Sequence, residues 1–309
     1  MRRKHTLGER ENKPRGIKNL LKKNDNLSYL LMVLPAMIII FSLAIIPIFG
    51  MTWVSLLDWN IASISPPKFI GLDNFMTMMK DSRFWGSLGT QGLLSFFMVT
   101  SQVVLGLAAA LTLNNLIGKV KWLRGVIMAP FMVPPIVVAL VWLTIFTPTI
   151  SPINSFIELF GISGPSWLSH PILSLFSIIV ADTWNNFPFV MIILLASLQG
   201  IPKELYEAVS VDGANKFEAF LYITLPSLKP AIILVATLRL IESFKSFPLI
   251  YVMTGGGPGT STEVTNFYAF VQGFEYSQIS YASSLALFLF LLTMGLSYFA
   301  IRLDNKEEV

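Results

Sequence analysis

Six long apolar runs constrain the fold of this chain more than any other feature of its sequence. Each is long enough for an α-helix to cross the hydrocarbon core of a bilayer, which takes about 20 residues. The runs lie at 29–53, 88–113, 123–146, 172–198, 228–252 and 282–303. Only 13% of the residues are charged, against about 25% in soluble domains, which excludes an ordinary soluble enzyme. The sequence therefore predicts an all-α integral membrane protein with six transmembrane helices.

The distribution of lysine and arginine predicts the orientation of these helices. Alternate loops and the two termini hold seventeen basic residues, whereas the other set of loops holds three. Basic segments stay in the cytoplasm, so we expect both termini there. The chain then consists of a basic cytoplasmic arm at 1–28, a six-helix domain at 29–303 and a cytoplasmic tail at 304–309. We expect the first 25 residues to be disordered and attracted to anionic headgroups.

Residues for catalysis or cofactor binding are scarce. The chain has no cysteine and two histidines, His5 and His170, which excludes disulfides and thiolate metal sites and leaves little for a histidine-based active site. A glycine run at 255–259 lacks the lysine of a phosphate-binding loop. The usual chemistry of an enzyme is therefore missing, and we expect that the chain is not an enzyme and binds no metal or cofactor itself.

The cytoplasmic segment 201–226 predicts a short helix-turn-helix. Pro202 suits the first turn of a helix, and Gly213 permits a sharp turn. We expect Asp212 to cap a second helix that begins near Gly213. The first helix has one apolar face, formed by Leu205, Ala208 and Val209. This face could dock on a partner, or it could pack on the protein's own helices or the lipid interface.

Charged residues inside the predicted spans form the second notable pattern. Each costs about 2.5–3.5 kcal/mol at the centre of a membrane helix, so it needs a compensating role. One face of the fourth span holds Asp182, Asn185, Asn186 and Phe189. One face of the fifth holds Arg239, Glu242, Ser243 and Ser246, with Lys245 pointing elsewhere.

Two interpretations of these faces stay open from the residues alone. Polar groups beside an aromatic ring suit a sugar, which needs paired donors and acceptors and a surface for stacking. Alternatively, an internal salt bridge could tie the helices together, either between Asp182 and Arg239 or between Arg239 and Glu242.

The cytoplasmic segment resembles the EAA motif of permease subunits in binding-protein-dependent, ATP-driven importers. The matching residues are Glu207, Ala208, Asp212, Gly213, Ala214, Phe220, Ile223, Leu225 and Pro226. Further segments resemble the maltose-type permeases of the carbohydrate-uptake branch, over 31–303. These segments are FIGLDNF at 69–75, PFMVPPIVVALVW at 130–142, WNNFPF at 184–189, LASLQGIP at 195–202 and YVMTGGGPGTST at 251–262.

This resemblance implies a type I ABC importer permease fold in a bacterial inner membrane. It implies that a cytoplasmic ATPase contacts the coupling residues Glu207, Ala208, Asp212, Gly213 and Ala214. It also implies a transmembrane sugar site at Asp182, Asn186, Phe189, Arg239, Ser243 and Ser246, to which the shared helix face adds Glu242. The implied partners are a second homologous permease, two ATPase subunits that hydrolyse ATP with Mg²⁺, and an extracytoplasmic solute-binding protein.

The charges on these faces favour an acidic or strongly polar oligosaccharide as the substrate. Two rival functions come from other classes. An ion-coupled secondary transporter of a small polar solute could use Asp182 and Glu242 as proton or sodium sites, but it would not need the cytoplasmic element. An intramembrane hydrolase would need a nucleophile and a base, for which Asp182 alone gives little support.

Overall fold

The computed structural model describes residues 15–115 and 121–304, with side chains described at 29, 32–115, 122–299 and 302. These residues are mainly helical. The helices are α1 (Arg15–Ser55), α2 (Asp73–Lys80), α3 (Ser82–Asn115), α4 (Lys121–Met128), α5 (Pro135–Phe146), α6 (Pro152–Glu158), α7 (Pro171–Gln199), α8 (Lys203–Val211), α9 (Lys216–Ala219), α10 (Leu225–Ser243), α11 (Phe247–Met253), α12 (Thr265–Phe270) and α13 (Ile279–Asp304). Two short strands, β1 (Leu57–Asp58) and β2 (Lys68–Phe69), pair in antiparallel fashion.

Most of the predicted spans are present as long apolar helical segments. Five are long and apolar enough to cross a membrane: Met32–Ser55, Ser82–Asn115, Pro171–Gln199, Lys216–Ser243 and Ile279–Phe299. A sixth is a bent pair, Trp122–Met132 with Pro135–Phe146. The prediction of an all-α membrane fold is therefore confirmed.

The third predicted span, 123–146, is not one continuous helix. Its two halves meet at an angle of 92°, with a 3₁₀ turn at Ala129–Met132 and a break before Pro135. Pro134 has an extended backbone, with ψ of 140°, because the following proline disfavours the helical region for the residue before it. The two adjacent prolines thus bend the span.

The fifth predicted span, 228–252, ends earlier than expected. Helix α10 stops at Ser243, and the separate helix α11 begins at Phe247. Pro248, in the first turn of α11, has no N–H to donate to the carbonyl of Phe244, so a continuous helix would lose a hydrogen bond there. The end of the predicted span is therefore wrong, and residues 244–246 form a break beside the charged side chains.

The N-terminal region differs from the expected disordered arm. Helix α1 already begins at Arg15, so the part of the arm at 15–28 is helical, while residues 1–14 lie outside the described residues, as do 305–309 of the predicted tail. Each residue added to an existing helix gains one backbone hydrogen bond, which favours extension of the apolar span beyond its apolar end. Of the described residues, those up to Met51 form one compact unit and those from Thr52 onward form the other.

Helices α3 and α7 pack closely and run parallel. Ser101 hydrogen-bonds Thr183, and further along both helices Gly106 faces Val190 so closely that an added Cβ would lie 2.7 Å from Val190 Cγ1. Small residues allow such close approach of membrane helices. Both helices therefore begin at one end of the molecule, and the segment 201–226, which follows α7, lies at the other.

Helix α10 crosses α3 in the opposite direction. Arg239 contacts Gln102, whereas Ser243, one turn further along α10, contacts Ser95, nearer the start of α3. A buried apolar cluster joins α3, α7 and α10, and it includes Leu113, Met191, Leu194, Leu198, Leu228 and Val235. The three helices therefore hold the polar side chains between them in a fixed register.

Candidate functional site

Two adjoining cavities lie between α5, α7 and α10. The aromatic cavity, of about 440 Å³, is lined by Phe131 and Phe189. The charged cavity, of about 270 Å³, is lined by Asp182 and Lys245. Both share the lining residues Pro135, Asn185, Asn186, Arg239 and Glu242. The structure thus brings the predicted polar faces of the fourth and fifth spans together around open space.

A hydrogen-bonded network connects three helices beside the charged cavity. Asp182 Oδ2 accepts a hydrogen bond of 2.5 Å from Gln102 Nε2, and Oδ1 accepts one of 3.0 Å from Asn186 Nδ2. Arg239 Nε donates to Gln102 Oε1 at 2.7 Å. All these side chains except Asn186 are buried, and the hydrogen bonds offset part of the cost of removing the charges from water.

Neither of the two salt bridges considered from the sequence forms among the described residues. Asp182 and Arg239 are joined only through the amide of Gln102. Glu242 pairs with Lys245 at 2.8 Å instead of Arg239. Lys245 therefore lines the charged cavity, contrary to the expected orientation. The helix ends at Ser243, so the regular angular spacing used to place Lys245 does not apply beyond it.

The two serines of the predicted face have different surroundings. Ser246 lines the charged cavity, and among the described residues its buried Oγ has no hydrogen-bond partner. Ser243 instead faces α3, where its Oγ donates to Ser95 Oγ at 2.7 Å, and it lines neither cavity. Ser246 thus has an unpaired, buried hydroxyl beside the charged cavity, whereas Ser243 lies in a helix contact.

The aromatic cavity carries a stacked pair of rings. Phe189 of α7 lies against Phe131, with ring centroids 5.3 Å apart and an angle of 20° between the planes. Phe131 belongs to the 3₁₀ turn at the bend of the third span, and Asn185 Nδ2 secures that turn by donating to the carbonyl of Pro130 at 2.6 Å. The bend therefore places one ring of the cavity.

The predicted cytoplasmic element is a helix-turn-helix, but its second helix is capped differently than expected. Asp212 is the C-terminal cap of α8, and Gly213 makes the turn with φ of +81°, in the region that favours glycine. Asn215 caps α9 in a reciprocal arrangement with Glu218. The choice of Asp212 as the N-cap is wrong because three residues, Gly213 to Asn215, follow it before α9 begins at Lys216.

The element exposes polar and apolar groups together. Four of the predicted coupling residues, Glu207, Ala208, Asp212 and Gly213, are exposed, and Ala214 is half-buried. Val211 and Phe217 are 87% and 67% exposed. On the other side, the hydroxyls of Tyr206 and Thr224 hydrogen-bond at 3.0 Å. The element is thus fixed to the helical body on one side and open on the other.

Helix α9 continues into the span that carries Arg239. A π-helical turn at Phe220–Thr224 joins α9 to α10, and the segment Lys216–Ser243 forms a single candidate span. A displacement of the turn at Gly213 therefore has a continuous helical connection to the lining of both cavities.

A second polar cluster lies at the start of α3, at the end of the molecule opposite this element. Arg83 forms two hydrogen bonds of 2.8 Å with the carboxylate of Glu263, which is buried. Asp81 accepts hydrogen bonds from Tyr268 and Tyr281. We call Asp81, Arg83, Glu263, Tyr268 and Tyr281 the Arg83 cluster.

The contacts within the Arg83 cluster shift the pKa values of Asp81 and Tyr268. Burial raises the pKa of Asp81, but hydrogen bonds from Tyr268, Tyr281 and the Arg83 backbone outweigh this effect and leave the pKa below its usual value. Burial, reinforced by the hydrogen bond to Asp81, raises the pKa of Tyr268 to about 12. The cluster is therefore held by an ionised Asp81 and a protonated Tyr268 at neutral pH.

The sequence patterns did not predict a role for Gln102 or for the Arg83 cluster. Gln102 carries no charge, so a search for ionisable residues in the spans passes over it. Its signal is the spacing of Gln91, Ser95 and Gln102, which places three buried polar side chains on one face of α3. The Arg83 cluster joins residues 180 positions apart, and no local pattern indicates that contact.

Several proteins with sequences similar to this chain are sugar permeases. The chain is 36% identical over 265 residues to the trehalose/maltose transport system permease protein MalF of Thermococcus litoralis, covering 86% of this chain and 89% of that protein. It is 31% identical to the sulfoquinovosyl glycerol transport system permease protein SmoG of Agrobacterium fabrum, covering 93% and 94%. It is 30% identical to the trehalose transport system permease protein SugA of Mycobacterium tuberculosis, covering 88% and 87%.

The fold also matches a solved importer. A chain of the bacterial alginate ABC transporter, in complex with an alginate pentasaccharide-bound periplasmic protein, superposes with a TM-score of 0.78 at 22% identity, covering 94% of this chain and 98% of that one. This likeness confirms the predicted permease fold. The family model described as binding-protein-dependent transport system inner membrane component matches residues 102–304. The chain therefore belongs to the family of inner membrane components of binding-protein-dependent transport systems.

Proposed function

We propose that this chain is the permease subunit of an ATP-driven carbohydrate importer and that the two cavities form part of its substrate pathway. The observation that carries the proposal is the meeting of the stacked rings Phe131 and Phe189 with amide and charged groups in one open space. A sugar requires both an apolar face for its ring and directed polar groups for its hydroxyls. The relatives named for trehalose and maltose support the same substrate class.

The lining favours an oligosaccharide, including an acidic one. The aromatic cavity, at about 440 Å³, is within the usual range of about 300–1,000 Å³ for small-molecule sites. Arg239 and Lys245 supply positive groups, and the structural neighbour is named for the acidic polysaccharide alginate. We assign the pathway to Asp182, Asn186, Phe189, Arg239, Glu242 and Ser246, with Ser243 as a residue behind the lining.

We further propose that α8, the turn at Gly213 and α9 dock on a cytoplasmic ATPase. Exposed Val211 and Phe217 offer apolar area to a partner, and Glu207 offers a polar contact beside them. The helical connection from α9 through α10 would carry closure of the ATPase to Arg239. ATP and Mg²⁺ would be bound by that partner, and the chain itself would act in transport and not in hydrolysis.

The remaining partners follow from the same assignment. A second, homologous permease would complete the pathway, and an extracytoplasmic solute-binding protein would deliver the substrate, as a periplasmic protein does in the named alginate complex. The loop charges support cytoplasmic termini in an inner membrane. The segment 201–226 would then face the cytoplasm, and the Arg83 cluster would face outward.

The pathway assignment is tested by removing one aromatic ring. Phe189→Ala should lower kcat/KM for uptake of labelled trehalose, maltotriose or trigalacturonate by about twofold to tenfold, since an aromatic contact contributes about 0.5–1.5 kcal/mol. The matched control is Phe176→Ala, which makes the same change on the same helix at a half-exposed ring outside both cavities. Rates are normalised to folded permease in the membrane, and equal effects of the two variants would contradict the assignment.

A further inference from the structure

The orientation of the Gln102 amide is fixed by its two neighbours. A guanidinium can only donate and a carboxylate can only accept hydrogen bonds. The carbonyl oxygen of Gln102 therefore faces Arg239 Nε, at 2.7 Å, and its amide nitrogen faces Asp182, at 2.5 Å. Gln102 is 1% exposed, so it touches the charges from behind the cavity wall.

This contact uses only one of the five N–H donors of Arg239. Within the described part of the chain, the two terminal nitrogens of Arg239 make no hydrogen bond, and neither is among the buried polar atoms that lack a partner. Arg239 lines both cavities. The terminal N–H groups are thus open to the cavities while the base of the guanidinium is held.

We propose that Gln102 is a positioning residue that presents the terminal face of Arg239 to an oxyanion substituent, such as a carboxylate or sulfonate, of the transported sugar. The inference rests on the proposed function, which supplies the sugar. The planar face of a guanidinium matches the two oxygens of such a group in a bidentate arrangement. Gln102 itself does not touch the substrate.

A neutral amide performs this role better than a direct salt bridge. If Asp182 paired with Arg239, its oxygens would occupy the N–H groups that the substrate needs. With Gln102 between them and Asn186 on the other oxygen, both charges are hydrogen-bonded and the terminal face stays open. The opposite charges of Asp182 and Arg239 cancel, as do those of the ion pair of Glu242 with Lys245, so the lining is formally neutral. An oxyanion is then held by directed hydrogen-bond donors and not by a net positive charge. Such binding is weak enough for the substrate to leave the site again during transport.

The test measures the charge preference of the cavity with thiol reagents. The chain has no cysteine, so Leu238→Cys, in the lining of the aromatic cavity, gives one reactive site. Two reagents are compared on the full chain in permeabilised membranes, the anionic sulfonatoethyl and the cationic trimethylammonioethyl methanethiosulfonate. The rate at which each modifies the cysteine is followed by the increase in mass of the chain after purification. Their ratio reports whether the positive face of Arg239 points at the probe.

The ratio of anionic to cationic rates should fall by at least about fivefold in Gln102→Leu and in Gln102→Asn. Leucine offers Arg239 no acceptor, and the shorter amide of asparagine cannot reach both charges, so that in each variant Arg239 can pair with Asp182. The matched control is Gln91→Leu, because Gln91 is an equally buried glutamine on α3 that lines neither cavity. Gln91→Leu should leave the ratio within about twofold of its value in the chain that carries Leu238→Cys alone. If Gln102→Leu does not fold, Gln102→Asn, which keeps a polar amide at this position, still decides, and an unchanged ratio in the folded variant overturns the proposal.

A second measurement identifies the ligand group. Trigalacturonate should slow modification of Leu238→Cys, maltotriose should slow it less, and the difference should vanish in Gln102→Asn. Equal protection by both sugars, or protection by neither, overturns the oxyanion assignment. Neither measurement uses ATP or transport, so these results stand apart from the uptake test of the proposed function.

Discussion

The contact between Gly106 and Val190 gives a quantitative test of the packing that aligns the network. A Cβ at position 106 would lie 2.7 Å from Val190 Cγ1 and 2.8 Å from its Cβ, and 3.0 Å from the backbone nitrogen of Met191. Carbon atoms in contact lie about 3.5–4.0 Å apart. Gly106→Ala must therefore push α3 and α7 apart, one turn from Gln102.

The magnitude is isolated by a control on the same helix. Replacing glycine by alanine in a helix gains up to about 1 kcal/mol from propensity alone, and overpacking costs about 1–3 kcal/mol. Gly92 has no atom within 4 Å of an added Cβ, so Gly92→Ala has the gain without the cost. We expect Gly106→Ala to be less stable than Gly92→Ala by about 1–3 kcal/mol.

The assay is unfolding of the purified chain by sodium dodecyl sulfate in mixed micelles, followed by circular dichroism. The double variant Gly106→Ala/Val190→Gly removes both clashing carbons, and its loss of stability should be smaller than the sum of the losses of the two single variants, since contacting sites are coupled. Equal free energies of unfolding for Gly106→Ala and Gly92→Ala would refute the close approach of α3 and α7.

Three further predictions concern the two ends of the molecule. Arg83→Leu leaves the buried carboxylate of Glu263 unpaired and should cost about 2–3 kcal/mol in the same unfolding assay, below the range for fully buried pairs because Arg83 is partly exposed. Adding Glu263→Gln should recover part of this lost stability, and additive losses would contradict the pairing. Because the pKa of Asp81 is lowered in the folded state, its stabilising contribution is complete above the usual pKa of 3.8 and is lost as pH falls through the lowered pKa. The melting temperature of Asp81→Asn should therefore fall less steeply with pH over this acid range than that of the wild type. Parallel curves would argue against the ionised Asp81. Gly213→Val should lower uptake more than ATP hydrolysis, whereas Gly213→Asn, which tolerates a positive φ, should retain both; retention in both variants would exclude a role for this turn.

The sequence allowed the class of fold and most of the spans to be predicted because lipid imposes a strong, local requirement on helix length and polarity. It was less informative about interruptions within the spans. The adjacent Pro134 and Pro135 bend an otherwise apolar run, and Pro248 separates α11 from α10. Hydrophobicity does not distinguish a straight apolar segment from a bent one, so backbone chemistry has to be considered separately.

The cytoplasmic element was predictable in part. Gly213 was expected at the turn because glycine adopts a positive φ more readily than other residues, and its φ in the structure is +81°. The cap was misplaced, although Asn215 followed three residues later by Glu218 is the spacing of a capping box. The local signal was therefore present, and Asp212 competed with it.

The polar contacts of the candidate site depended on tertiary structure. Asp182 and Arg239 were each recognised as charges that need a partner, but their connection through Gln102 depends on the register of α3 against α7 and α10. Lys245 was placed on the wrong side because helical spacing was extended past the end of α10. Sequence patterns locate charged side chains on an element, whereas the packing of elements decides what lies between them.

The energy source of uptake tests the central claim most directly. The measurement is the initial rate of labelled trehalose, maltotriose or trigalacturonate uptake into proteoliposomes that contain this chain with its partner permease and ATPase, with the solute-binding protein outside. We predict uptake that requires ATP and Mg²⁺ on the ATPase side and continues after a protonophore or sodium ionophore is added. Uptake that is driven by a proton or sodium gradient without ATP would contradict the account and favour an ion-coupled transporter.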